Sequence, residues 1–514
     1  MASITARPDA RIARAAQAAD LSRVATIAVV SLATLAPLAL AFAFRHESLR
    51  LDEAQSLWQV SRPARAIIAI VAGDVHVPLY HLLLHAWLLA AGDTVAVARL
   101  LSLLFFVASV PLVYLLGERA YGRRVALFAV VLFALSPFMN WYASEIRMYT
   151  MLVFFTVLNQ YCFLRLAEGE RGRGVWAFYG VSALLGAFTH YFFFLNLLAE
   201  AVYYLFRRER FAAGSLRRFA SIAAMLGLAF IPWAWYVFSV GTAGFETPAL
   251  APPSAVNLFG AFAEFFFGFQ SDAVNTVILS LWPVTVILGV LALRRRRMQD
   301  ATEYLLIAVL VPFAIAFFGS FVVTPVFVSR YLIATIPALC LLVANLLAAY
   351  PPSFAAATRA GLVGLVAAGF ALEVVNPLSP VKEEYASAVA YLSAHASAQD
   401  AIVLSAPFTV YPVEYYYRGP ATISTLPAWD QYAYGPIPAF DPAKLPAEIA
   451  NATAGDQDVY LLLSYDQGYE SKIRDYFESH YQRLYEHTYS HDLTLYVYRL
   501  RYDTNRTAIA TARS

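Results

Sequence analysis

The sequence predicts a helical bundle that crosses a membrane about eleven times, followed by a small α/β domain. Three observations carry that expectation. Of 514 residues, 60% are hydrophobic and only 14% are charged, with a mean hydropathy of +0.58. Soluble domains carry about 25% charged residues, so this chain lacks the polar surface to cover a water-facing globule. Apolar runs of near-bilayer length recur from residue 24 to residue 376, and the arginines gather on alternate connections between those runs. The net charge of +2 adds nothing by itself; its distribution does.

The first run, residues 24–44, follows Arg11, Arg14 and Arg23. Ala41-Phe42-Ala43 mimics a cleavage site, yet about 21 apolar residues exceed a signal-peptide core of about 7–15 and suit a retained helix. Residues 1–23 then form a cytoplasmic segment. Further spans are expected at 95–117, 124–138, 146–165, 174–190, 191–206, 219–239, 274–293, 303–323, 331–349 and 360–376. The apolar stretch 79–91 is too short to span easily and is placed along the membrane surface. Twenty basic residues fall on the inner connections and seven on the outer ones before residue 377, as the positive-inside rule requires. Eleven crossings put the C-terminal region outside.

After Pro377 the composition becomes that of an ordinary soluble domain. The spacing predicts a helix over 381–396, strands at 401–405, 459–464 and 493–500, and a helix over 470–480. The expected domains are therefore 24–376 in the membrane, 377–501 as a periplasmic α/β domain, and 502–514 as a disordered tail. Cys162 and Cys340 lie in apolar runs without metal-ligand spacing and read as buried thiols.

The seven outer arginines are Arg45, Arg50, Arg62, Arg65, Arg99, Arg147 and Arg330. Charge at membrane depth is costly, so such residues are functional suspects. Asp52 and Glu53, in the loop expected after the first helix, can supply a general base for a hydroxyl; a solvated loop pair is the simpler alternative. Arg147 with Tyr149, and Arg330 with Tyr331, can grip a phosphate, although interfacial Arg/Tyr anchors look the same. His190-Tyr191 is a fourth candidate, beside the commoner role of a hydrogen-bonded structural histidine. No cluster argues for a metal. Acids, guanidinium groups and tyrosines on one membrane face suit a lipid-linked phosphate.

The ordered series Asp52-Glu53, His76-Val77-Pro78-Leu79-Tyr80, Arg99-Leu100-Leu101-Ser102, Ser144-Glu145-Ile146-Arg147-Met148-Tyr149, Thr189-His190-Tyr191 and Ser329-Arg330-Tyr331 resembles the bacterial branch of the GT-C glycosyltransferases. These are relatives of the dolichyl-phosphate-mannose protein mannosyltransferases and the lipid A aminoarabinose transferase. The resemblance covers about residues 24–376. It implies an inverting transferase with Asp52 as base and Glu53 orienting the acceptor or substituting for it. Arg147, Tyr149, Arg330 and Tyr331 would hold the donor phosphate, with His76, Tyr80, Glu145, His190 and Tyr191 lining the substrates. The family's His-Pro-Pro-Leu-Tyr stretch has Val77 at its second position here. The expected partners are a polyprenyl-phosphate sugar and a glycan, lipid or protein acceptor, with no nucleic acid. No cofactor is required by the sequence, and divalent-ion use stays open. A bacterial inner membrane is the expected location. A lipid-linked glycan flippase, or a polymerase or ligase using an undecaprenyl-diphosphate donor, is the competing reading.

Overall fold

The computed structural model describes residues 23–39, 47–74, 76–241, 251–295, 299–375, 382–433, 436–453 and 457–500. The N-terminal segment up to residue 22, Arg45 and the tail 502–514 lie outside them. In chain order the helices begin with α1 (Arg23–Ala39), α2 (Leu51–Val60), α3 (Ala64–Ala72), α4 (Leu79–Ala91), α5 (Val95–Tyr121) and α6 (Arg123–Leu135). They continue with α7 (Pro137–Ala143), α8 (Tyr149–Ala167), α9 (Arg173–Ala187), α10 (Phe193–Phe206), α11 (Ser215–Val240) and α12 (Ala255–Phe267). Then come α13 (Asp272–Ser280), α14 (Trp282–Arg295), α15 (Asp300–Val322), α16 (Ile336–Leu347) and α17 (Pro352–Val375), with a 3-10 turn at Ser329–Thr335 ahead of α16.

Among the described residues, seven helices are long and apolar enough to cross a membrane, or eight if α6 and α7 count as one bent span. All eleven expected runs fall on helices in their described parts, residues 40–44 and 376 lying outside these, but not all at full span length. Helices α9 and α10 are short, and α6–α7 bends by 56° where Ser136-Pro137 interrupts it. The bend has a local cause: Pro137 has no N–H to continue the ladder, while the Ser136 hydroxyl caps the new helix by accepting from the Met139 N–H at 3.2 Å. Helix α12 was not expected.

The chain forms two compact units. The first comprises Met1–Arg45, Ala96–Ile231 and Leu250–Ser379. In lipid there is little hydrophobic gain from pressing apolar helices together, so close packing has to come from small residues and side-chain hydrogen bonds. Gly117 of α5 lies so near Ala126 and Leu341 that a Cβ there would stand 2.4 Å from the leucine side chain. Gly186 of α9 is covered by the ring of Phe193, 2.3 Å from where a Cβ would be. Buried polar groups pair along the same bundle: Asn196 donates to Asn159 Oδ1 at 3.0 Å, and Tyr179 donates to Glu200 at 2.9 Å. Cys162 and Cys340 are free and buried, as expected.

The second unit comprises His46–Val95, Pro232–Ala249 and Pro380–Ser514. Its C-terminal part adds α18 (Tyr385–His395), α19 (Val410–Tyr416), α20 (Leu445–Ala452) and α21 (Glu470–His480) to a five-stranded sheet. The strands are β1 (Ala401–Ser405), β2 (Thr422–Thr425), β3 (Asp458–Ser464), β4 (Tyr481–Ser490) and β5 (Leu493–Leu500), ordered β2-β1-β3-β5-β4. β1 runs parallel to β2 and β3, whereas β5 is antiparallel to β3 and β4. Val403, Leu461, Leu463 and Tyr498 of the sheet bury one face against Ile473 and Phe477 of α21. The three expected strands and the helix over 470–480 are present; β2, β4, α19 and α20 were missed. The helix expected over 381–396 begins only at Tyr385.

Candidate functional site

One correction concerns the acidic pair. Asp52 and Glu53 do not sit in a loop; they occupy the first turn of α2. The segment has good helix formers at six of its ten positions (Leu51, Glu53, Ala54, Gln55, Leu57 and Gln59) and places its acids where the positive end of the helix dipole favours them. Glu53 is fully buried and accepts from the Arg50 backbone N–H at 3.1 Å, so its carboxylate caps the helix N-terminus. Asp52 is half-buried.

The chain entering α2 is tied to the C-terminal part of the same unit. The Leu49 N–H donates to the Tyr416 hydroxyl at 2.9 Å, and the Ser48 hydroxyl donates to Glu384 at 3.0 Å. Arg50 Nε lies 3.7 Å from Glu383, which also accepts from the Tyr465 hydroxyl. Lys382 pairs with Glu47 at 3.1 Å. Three residues before Asp52, then, the backbone is held by the Tyr416 hydroxyl, 367 positions away in sequence. Sequence reasoning missed Glu383 and did not foresee that Tyr416, one of three consecutive tyrosines, would hold Leu49, because only the fold brings them here.

His76 and Tyr80 also belong to this unit and are buried. The His76 ring stacks on His81 at 5.8 Å, and Tyr80 stands edge-on to His81 at 5.9 Å. Helix α4 meets α2 through His85, whose Nδ1 lies 2.8 Å from the Val60 carbonyl oxygen. Asp74, two residues ahead of His76, was also missed. It accepts from the Gln55 and Gln59 side-chain amides at 3.3 and 2.9 Å.

The remaining expected residues come together within the first unit. Arg147 precedes α8 in a tight turn, with its N–H on the Glu145 carbonyl at 2.9 Å and its own carbonyl accepting from Ser102 of α5 at 3.0 Å. Thr150 returns a bond to the Ser102 carbonyl at 2.7 Å, fixing the start of α8 against α5. Glu145 is fully buried and accepts from the Trp141 indole N–H at 2.8 Å. Arg147 is 4% exposed, an unusual state for an arginine.

His190 lies in the turn between α9 and α10. Its ring is 6.1 Å from Tyr149 and 5.5 Å from Tyr331. The Arg330 guanidinium sits 5.5 Å from the Tyr331 ring. Burial first, then the charges of Arg147 and Arg330, push the His190 pKa down to about 3. The ring is therefore neutral, and because the Phe192 N–H donates to Nδ1 at 3.1 Å, the ring proton sits on Nε2. Two guanidinium groups, two tyrosines and an imidazole N–H donor thus gather at one end of the first unit. Tyr191 adjoins His190, with its ring 6.2 Å from Phe230. Among the described residues, no group of three His, Cys, Asp or Glu residues could hold a metal ion.

Residues 75–236 match the family of dolichyl-phosphate-mannose-protein mannosyltransferases. No curated protein matches the chain by sequence. The fold is similar to that of ArnT from Cupriavidus metallidurans in the apo state, with a TM-score of 0.59 at 13% identity, covering 93% of this chain and 98% of that one. The same protein bound to undecaprenyl phosphate gives 0.55 at 14% identity over the same shares. The Archaeoglobus fulgidus oligosaccharyltransferase tethered to an acceptor peptide gives 0.54 at 12% identity, covering 90% of this chain and 73% of that chain. The chain thus carries a segment similar to the mannosyltransferase family and shares, over nine-tenths of its length, the fold of these glycosyltransferases.

Proposed function

We propose that the protein transfers a sugar from a polyprenyl-phosphate donor to a hydroxyl on the extracytoplasmic side, with inversion at the anomeric carbon. The observation that carries this reading is the cluster of Arg147, Arg330, His190, Tyr149 and Tyr331 at one end of the first unit. A phosphate monoester needs charge and directed donors, and this cluster supplies both. The similarity to a protein that binds undecaprenyl phosphate points to a lipid as its carrier.

In the proposed reaction the acceptor oxygen attacks C1 from the face opposite the phosphate as Asp52 takes its proton. The bond from C1 to the phosphate oxygen breaks, and the polyprenyl phosphate leaves with the bonding pair. Arg147 and Arg330 stabilise the charge that develops on it, and the His190 Nε2–H can donate to a phosphate oxygen. Asp52 suits the base better than Glu53, because the Glu53 carboxylate already caps α2 and is sealed from solvent. The cytoplasmic N-terminus and a bacterial inner-membrane location belong to the same reading.

The test is purified protein offered a panel of polyprenyl-phosphate sugars, with free polyprenyl phosphate as the readout. Asp52→Asn should abolish turnover and leave donor binding intact. Near-normal turnover in that variant would remove Asp52 as the base. A protein that binds no polyprenyl phosphate would end the whole reading.

A further inference from the structure

The reaction above leaves Asp74 without a role, and its surroundings give it one. Asp52, Gln55 and Gln59 recur at spacings of three and four, so they share one face of α2, a stripe about 10 Å long at 1.5 Å per residue. Asp74 lies against that stripe, held through Oδ2 by the amide N–H groups of Gln55 and Gln59. Spending its N–H on Asp74 fixes which way the Gln59 amide points. Its Oε1 is buried, on a residue 1% exposed, and has no hydrogen-bond partner among the described residues. Buried acceptors are rarely left so, and this one calls for a donor from a ligand.

Aromatic surface borders the stripe. The Tyr411 hydroxyl feels the charges of both Asp74 and Arg62. Its ring stands edge-on to Trp58 at 5.1 Å and to Trp429 at 6.1 Å. The combination is selective. Two carboxylates and a buried carbonyl oxygen want a ligand with several O–H donors and no negative charge, and the rings want one with an apolar C–H face. A sugar ring has both. A serine or threonine side chain offers one hydroxyl and cannot span the stripe.

We propose that the Gln55–Gln59–Asp74 face binds a neutral saccharide. The hydroxyl presented to Asp52 then belongs to a glycan or the sugar of a glycolipid, not to a protein side chain. This assignment rests on the transferase reading for its link to Asp52, but saccharide binding is separable from it.

The experiment uses full-length protein in detergent micelles. Saturation-transfer NMR would be recorded with a panel of methyl glycosides of neutral hexoses and with an acetylated Ser/Thr peptide, alongside undecaprenyl phosphate binding. The expected result is glycoside binding, weakened at least tenfold by Asp74→Asn and by Gln59→Leu, with undecaprenyl phosphate affinity unchanged. Should Asp74→Asn fail to fold, Gln59→Leu decides. Binding of the peptide but of no glycoside, or glycoside binding untouched in the folded variants, overturns the proposal while the donor reading stands. Glycoside binding without any undecaprenyl phosphate binding leaves the saccharide site and removes the donor reading.

Discussion

At one end of the first unit, Arg119 reaches Glu168 at 2.6 Å, Arg165 reaches Glu170 at 2.5 Å, and Arg207 reaches Glu303 at 2.6 Å. These side chains are between about a quarter and two-fifths exposed. At the other end of the same helices, Arg147 is nearly sealed from solvent and shares its surroundings with Arg330, His190, Tyr149 and Tyr331. Helices α5 and α8 run side by side through both environments, from Ser102 beside Arg147 to Arg119 beside Glu168. The contrast separates two uses of one residue type. Exposed, matched arginines orient and anchor a bundle at little net energy. Gathering two guanidinium charges around a buried imidazole is costly, and in the proposed reading the lipid phosphate offsets part of that cost.

The sharpest way to break this contrast is Arg147→Ala. Losing a desolvated charge partner should weaken undecaprenyl phosphate binding by about 2–5 kcal/mol, roughly 30-fold or more. Isothermal or fluorescence titration of the purified protein reads it directly. An affinity within a factor of two of the parent would mean that the buried end is merely structural.

Next in size is His190→Phe, which keeps a ring but removes the imidazole N–H donor, with no change in charge. A neutral donor is worth about 0.5–1.5 kcal/mol, so affinity should fall by about tenfold or less. The pH dependence is the finer readout. The phosphate itself titrates near pH 6, so the useful quantity is the ratio of parent to variant affinity. With the His190 pKa pushed down to about 3, the ring stays neutral from pH 5.5 to 8.5, and that ratio should be flat. A step in the ratio near pH 6.5 would show a histidine that charges on binding, contrary to its buried setting between two arginines.

How far this contrast could be read from sequence depends on the residue. The arginine-rich connections, the bundle and the α/β domain follow from composition and period, because lipid forces whole segments to be apolar. Arg147, Tyr149, His190, Arg330 and Tyr331 stand out as polar residues beside apolar runs, and the structure gathers them. The candidates in the second unit were harder. Asp52 and Glu53 looked like loop residues, since a ten-residue amphipathic helix resembles a polar connection when its packing partner is unknown. That partner includes Tyr416 and Glu383, hundreds of positions later, and no local pattern announces such a contact. Asp74 was overlooked for a related reason: an acid between two apolar runs is unremarkable until Gln55 and Gln59 are seen to hold it. Short strands such as β2, with four residues, carry too few alternations to be read.

The smallest expected effect lies at the matched end and bears most on the comparison. Arg119 and Glu168 form an ion pair with their side chains 35% and 42% exposed. A double-mutant cycle of Arg119→Ala and Glu168→Ala should give a coupling of about 1 kcal/mol or less in thermal stability, shrinking in high salt. Undecaprenyl phosphate affinity should not move, because nothing at this end shares the His190 cluster. If Arg119→Ala cost donor affinity as Arg147→Ala is expected to, the two ends would be energetically linked and the buried cluster would not be a separate site. If neither variant changed affinity, arginine burial near α8 would have no bearing on the ligand. Only a large loss at Arg147 with silence at Arg119 assigns the phosphate to the buried end.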